Sequence, residues 1–196
     1  MSVDPENDYK HIRNGVSGFY EQKRGLIAVW GEEAVQFLDG LVTNDVKTLG
    51  DGDQMLAAFP NAQGRLLAAV RVLRQDAKFL IETEEATREK LFQNLFRFTF
   101  AGEFFVEDLS DEYRYLELFI SDLKFKISDS DRLLPFEGRT GRGIFAENDL
   151  ADEFRDSMLD IGVVEISDEL FKTLRIEAGV PPTKLARCWK RYFCPP

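Results

Sequence analysis

The stretch NAQGRLLAAVRVL, residues 61–73, reads as a turn feeding a strand. Asn61 and Gly64 carry the turn signal, and the run behind them ends in the alternation Val70, Arg71, Val72. Such a strand can present side chains to a pocket. At its centre stand Ala68 and Ala69, which do no acid–base or ligand chemistry. The strand is therefore plain core, or it belongs to a site that has lost a polar pair.

Its neighbours set the fold class. MLAAF precedes it and KFLIETE comes after it, joined through NAQG and RQDA, so three strands succeed one another. Upstream, GLIAVW (residues 25–30) is a short apolar run between Gly25 and Gly31 and reads as a buried strand. In EEAVQFLDGL, Ala34, Phe37, Leu38 and Leu41 fall at helical spacing, with Glu32 and Glu33 at the positive end of the dipole. Thr43-Asn44-Asp45 closes that helix or caps the next turn, and LGDGD is a turn. In EATREKLFQNLFRF the period changes, and Leu91, Leu95 and Phe98, with Phe92 beside them, make an amphipathic helix. FFVEDL and YRYLELFI read as strands, while LKFKISDSDR and GRTGRGIFAEND read as strand and turns. LADEFRDSMLDIG places Leu150, Phe154, Met158 and Ile161 on one helical face. ISDELFKTLRIEAGVPP is a last helix with Ser167 as N-cap, Gly179 as stop, and Pro181 and Pro182 beyond.

The order β-α-β-β-β-α-β, then strands, then two helices argues for an α+β fold with mostly antiparallel sheets, not a doubly wound parallel one. Residues 1–20 read as a polar lead-in and 21–182 as the folded body, in subdomains of roughly 21–110 and 111–182. Residues 183–196 form a basic tail with no clean period.

The 196 residues suffice for one large domain or two small ones. A net charge of −10 repels phosphate backbones and argues against nucleic-acid binding, while still permitting a small anionic ligand in a local basic pocket. No apolar run is long enough to span a bilayer. The polar, acidic MSVDPENDYKH is not a signal peptide. Cys188 and Cys194 both fall in the last ten residues, so a disulfide framework for the body is excluded, and a reducing, cytoplasmic setting is expected. His11 is the only histidine, which rules out a multi-histidine metal site and reads as a solvated side chain.

GRTGRG, residues 138–143, could cradle a phosphate but lacks the Lys-Ser/Thr pair of a P-loop, so it reads as a turn. Cys188 and Cys194 have too few companion ligands for zinc. Lys184, Arg187, Lys190 and Arg191 would lower the pKa of Cys188, yet a loose cationic tail is the simpler reading. Asp108, Asp111 and Glu112 sit where solvated turns are expected, and spacing singles out no hydrolytic pair. LRIEAGVP, residues 174–181, is more pointed. Arg175 and Glu177 lie two apart, on different faces of a helix end, so they are no simple ion pair. Arg175 either holds the helix C-terminal carbonyls or is presented to an anionic ligand such as a carboxylate.

Three stretches together resemble one family. RGLIAVWGEEAVQFLDGLVTNDVKTLGDG is similar to the N-terminal signature of the aminomethyltransferase (glycine-cleavage T-protein) superfamily. NAQGRLLAAVRVL is similar to its next turn and strand, and LRIEAGVP to its Arg-x-Glu-Ala-Gly element. Arg65 and the Arg-Ile-Glu-Ala-Gly-Val-Pro run lean toward the YgfZ-type branch, tetrahydrofolate-binding proteins associated with iron–sulfur cluster assembly and repair. The resemblance implies an α+β folate-binding fold of two interlocked β/α subdomains around a ligand channel. It implies folate-lining positions at Arg24, Ala28, Leu56, Ala69 and Glu82, and a contact from Arg175 to the anionic part of folate. True T-proteins carry an Asp pair in the turn-strand stretch, and that pair falls here on Ala68 and Ala69. The branch's downstream Lys-Gly-Cys-Tyr-x-Gly-Gln-Glu motif and the family's C-terminal barrel are not in this sequence. The chain then reads as a short member, a truncated one, or one with a diverged end, and Cys188 takes no role from the family.

Taken together, the resemblance and the two alanines imply a non-catalytic tetrahydrofolate-binding protein serving iron–sulfur cluster assembly or repair, with iron–sulfur assembly proteins as partners. Two alternatives stand beside it: a folate-dependent transferase using other carboxylates, and a remnant or interaction module that binds no folate.

Overall fold

The structure is a computed structural model that describes residues 9–10, 12–119, 132–137 and 141–180. Its elements, in chain order, are β1 (Gly18–Gln22), β2 (Arg24–Trp30), α1 (Ala34–Asp39), a 3-10 turn (Val46–Thr48), β3 (Gln54–Pro60), β4 (Leu66–Gln75) and β5 (Lys78–Glu84). Then come α2 (Glu85–Phe96), a second 3-10 turn (Thr99–Ala101), β6 (Phe105–Asp108), β7 (Tyr113–Phe119), β8 (Leu133–Glu137) and β9 (Arg142–Glu147). The chain closes with α3 (Asn148–Asp160), β10 (Val164–Glu165) and α4 (Asp168–Glu177). Over the described residues, two compact units result: Lys23–Asp111, and a second that joins the residues up to Gln22 with residues 112–180.

The first unit is a five-stranded sheet in the order β3-β4-β5-β2-β6, antiparallel throughout. One face carries the core. Ile27, Val29, Ala57, Val70, Val72 and Ile81 pack there with Ala34 and Leu38 of α1 and Leu91 and Leu95 of α2. The period-2 alternation of strands and the i, i+4 spacing of Leu91 and Leu95 supply this face from sequence. Ala68 belongs to it and is fully buried, so one of the two central alanines is ordinary core. Helix α2 ends at Phe96, and Phe98 therefore packs against the core from beyond the helix.

The second unit is a sheet in the order β10-β1-β7-β9-β8, antiparallel except for the parallel β10–β1 pair. Phe19, Leu116, Leu118 and Ile144 pack on Ala151, Phe154 and Met158 of α3. Leu170, Phe171 and Leu174 of α4 pack with Phe119, Ile166 and Tyr20. Two expectations change here, and one strand outside them appears. Gly18–Gln22 are a strand at the heart of this sheet, so the polar lead-in ends earlier than residue 20. LLPFE, residues 133–137, is a strand that Pro135 disguised. Ile161 is 60% exposed, because α3 stops at Asp160 and Gly162 turns away at φ +84.

Ser167 caps α4, accepting from the Leu170 N–H at 3.3 Å, and Gly179 lies just past the helix at φ +69. His11, Gly138 to Thr140 of the GRTGRG run, nearly all of LKFKISDSDR, Pro181, Pro182, both cysteines and the basic tail lie outside the described residues. Among the described residues, no helix is long and apolar enough to cross a membrane.

Candidate functional site

The turn at residues 61–65 sets the register of the strands it joins. Asn61 Oδ1 accepts from the Gln63 N–H at 3.0 Å and the Arg65 N–H at 2.9 Å, and Gly64 takes φ +71. Ala58 then pairs Ala69, and Leu56 pairs Arg71. With Ala68 in the core, Ala69 is turned to the opposite face.

That opposite face gathers the expected lining residues of this unit. Leu56, Arg71, Glu82 and Leu26 form one row across four strands. Ala28 pairs Leu80 in the next row, and Arg24 lies two residues before Leu26. Arg24, Ala28, Leu56, Ala69 and Glu82 thus share one face of one sheet. Their environments differ. Ala28 is fully buried, Ala69 half-buried, and Leu56 46% exposed.

Glu82 is the electrostatic centre of the face. It exposes only 1% of its surface. Its Oε1 accepts from Arg24, and its Oε2 accepts from Arg71 Nε at 2.7 Å. Burial pushes the Glu82 carboxyl up, but the guanidiniums of Arg24 and Arg71 outweigh that and hold it below its ordinary value. A carboxylate ionised so firmly and bonded through both oxygens is a fastener for two arginines, not a proton acceptor at neutral pH. Sequence reasoning misses Arg71 as a member of this face, although the Val70-Arg71-Val72 alternation is the signal for it: a charged residue between two core valines must share the face of Ala69.

Thr43-Asn44-Asp45 has structural work. Asn44 Nδ2 donates to the Leu56 carbonyl at 2.7 Å, and Thr43 exchanges bonds with Ala58 through its N–H and hydroxyl, each at 3.0 Å. Asp45 caps the 3-10 turn by accepting from the Lys47 N–H at 3.0 Å. The run therefore caps the next turn and also covers the outer edge of β3.

Arg175 belongs to the other unit, in the last turn of α4. Its Nε is buried and has no hydrogen-bond partner among the described residues. The neighbouring Tyr20 ring stacks on Phe171 at 4.0 Å, and its hydroxyl donates to Asp168 Oδ1 at 3.0 Å. Burial and that bond push the Tyr20 phenol up, partly offset by the Arg175 charge, so Tyr20 stays neutral. Glu177 points elsewhere: it accepts from Tyr9 Oη at 2.6 Å and from Arg13. Arg175 and Glu177 are not a pair, as their spacing implied.

Asp108 and Asp111 are also fasteners. Asp108 accepts from Arg88 Nε at 2.8 Å, and Asp111 takes the other two guanidinium nitrogens at 2.9 Å each. Arg88 holds the Asp111 carboxyl below its ordinary range. Among the described residues, no group of three or more His, Cys, Asp or Glu is arranged to hold a metal ion.

The same architecture and sequence recur in known proteins. Residues 2–119 match the family model described as the GCVT N-terminal domain. An iron–sulfur cluster assembly factor IBA57 homolog, mitochondrial, of Mycosarcoma maydis is 31% identical over 112 residues, covering 50% of this chain and 28% of that protein. An aminomethyltransferase of Thermoanaerobacter pseudethanolicus is 25% identical over 205 residues, covering 89% of this chain and 56% of that protein. In three dimensions, the glycine cleavage system aminomethyltransferase T of Bartonella henselae superposes with a TM-score of 0.80 at 20% identity, covering 93% of this chain and 56% of that one. That likeness shows the fold, an α+β pair of mostly antiparallel sheets. The chain spans about half the length, or less, of the curated relatives it matches.

Proposed function

Because the chain belongs to the GCVT N-terminal domain family, we propose that it binds tetrahydrofolate and supports iron–sulfur cluster assembly or repair without transferring an aminomethyl group. One observation carries the reading. Ala69, at the position expected to hold an acid in true transferases, shares a face with Arg24, Ala28, Leu56 and Glu82, and the only carboxylate of these five is bound by two arginines. These positions offer apolar surface and fixed charge but no acid poised for proton transfer.

These residues fit a reduced folate. Leu56, 46% exposed, suits its flat ring system, and Arg175, considered by itself on α4, is of the residue type that grips a carboxylate through parallel bonds. When bound, the folate would supply a carrier for one-carbon units. The support for iron–sulfur work is the Mycosarcoma relative's name, and iron–sulfur assembly proteins are the partners this reading takes. A cytoplasmic setting remains part of the proposal and rests on the sparse cysteines.

A transferase reading draws on the Thermoanaerobacter relative, which aligns with 89% of the chain, and needs a carboxylate other than Glu82. The two readings part in one assay. The protein is supplied with tetrahydrofolate and an aminomethyl donor, and transfer is followed for the wild type and for Ala69→Asp. Turnover by the wild type at enzyme-like rates would overturn the non-catalytic reading. Calorimetric titration of Arg175→Ala tests the ligand contact: loss of a charge-assisted bond weakens binding by about tenfold or more. Unchanged affinity removes Arg175 from the site.

A further inference from the structure

We propose that the outer edge of β6 is a docking site for an extended, basic segment of another protein, which joins the first unit's sheet as a further strand. The sheet ends on β3 and β6. The β3 edge is covered by Thr43 and Asn44. Among the described residues the β6 edge pairs only with β2, and none of them bonds to its outer side. Uncovered strand edges are templates for another strand, and proteins normally blunt them. In the second unit, β8 carries Pro135 at its edge and β10 has only two residues, so neither offers a comparable template.

The side chains along this edge specify the partner. The Leu109 N–H donates to the Leu26 carbonyl at 2.9 Å, and the antiparallel alternation then points the backbone of Phe105 and Glu107 toward β2 and that of Val106 outward. Glu103, Phe105 and Glu107, spaced two apart, are all exposed, and Phe105 exposes 58% of its surface. The Phe105 ring stacks on Trp30 at 5.7 Å, which holds it at the rim. The edge is therefore an acid–aromatic–acid stripe. Cross-strand pairing favours a strand with a β-branched or aromatic residue beside Phe105 and lysine or arginine beside each glutamate. A second copy of this chain would bring the same acids and a net charge of −10 to the contact, which disfavours it.

The test uses a fluorescein-labelled synthetic peptide in which lysine alternates with isoleucine and valine, and a control with glutamate in place of lysine. Fluorescence anisotropy of the intact protein should show binding of the lysine peptide only, weakened by added salt. Glu107→Lys should weaken it by about fivefold or more, and the pair Glu103→Lys, Glu107→Lys should switch the preference to the glutamate peptide. Equal binding of both peptides, or a double variant that keeps the original preference, overturns the proposal. So does a concentration-dependent dimer in sedimentation that Phe105→Ala abolishes, because the occupant is then a second copy.

Discussion

At the scale of single residues, the two alanines of residues 61–73 separate into different roles. Ala68 fills the core, and Ala69 faces the row of Leu56, Arg71 and Glu82. Glu82 holds that row together. Glu82→Ala removes the carboxylate from two largely buried guanidiniums and should cost about 3–5 kcal/mol in urea unfolding. Its carboxyl has a folded pKa below the unfolded value, so its contribution is present above the ordinary carboxylate range and disappears as pH falls through the folded value. Wild-type stability should therefore fall as the solution is acidified below about pH 4.3, and Glu82→Gln should flatten that fall. Equal slopes for the two proteins would remove Glu82 from the acid transition. Leu56 gives a separate handle. At 46% exposure, Leu56→Glu should shift stability by no more than about 0.5 kcal/mol while lowering affinity for tetrahydrofolate. An unchanged Kd would take Leu56 off the ligand surface.

At the scale of elements, short polar side chains do the fixing. Asn61 orders the β3–β4 turn through two backbone bonds, and Asn61→Ala should cost about 1–2 kcal/mol in thermal or urea melts. Ser167→Ala should cost about 1 kcal/mol through the α4 cap. These signals are legible in sequence because turns and caps are local chemistry: an Asn-x-x-Gly and a Ser before an apolar helix act on their own neighbours. The strands 24–30, 54–60, 66–75 and 78–84 are legible for the same reason, through apolar runs and turn residues. What sequence does not disclose is long-range. The strand 18–22 looks like a lead-in because its apolar Phe19 stands among polar neighbours, and only pairing with Phe119 to Tyr115 on one side and Val164–Glu165 on the other makes it an interior strand. Arg71 and Glu82 are eleven residues apart on different strands, so their bond depends on the β4–β5 register, which is closed at the two-residue turn after Gln75, where Asp76 takes φ +51. Asp108 and Asp111 look like solvated turn acids, and it is Arg88 on α2 that takes them.

At the scale of the whole molecule, the chain is an acidic protein of two compact units with a family match running from residue 2 to residue 119. The resemblance pointed to the fold, and the sheet order and structural neighbour agree with it. The expected lining positions of the first unit share one sheet face. Binding of a ligand to the folded state alone raises the unfolding free energy by about 2.7 kcal/mol at a hundredfold excess over Kd. The most direct measurement is therefore calorimetric titration of the protein with tetrahydrofolate, paired with a thermal melt across the same ligand range. A saturable isotherm and a melting temperature that climbs with ligand are expected. No heat and no shift at millimolar tetrahydrofolate would contradict the folate proposal.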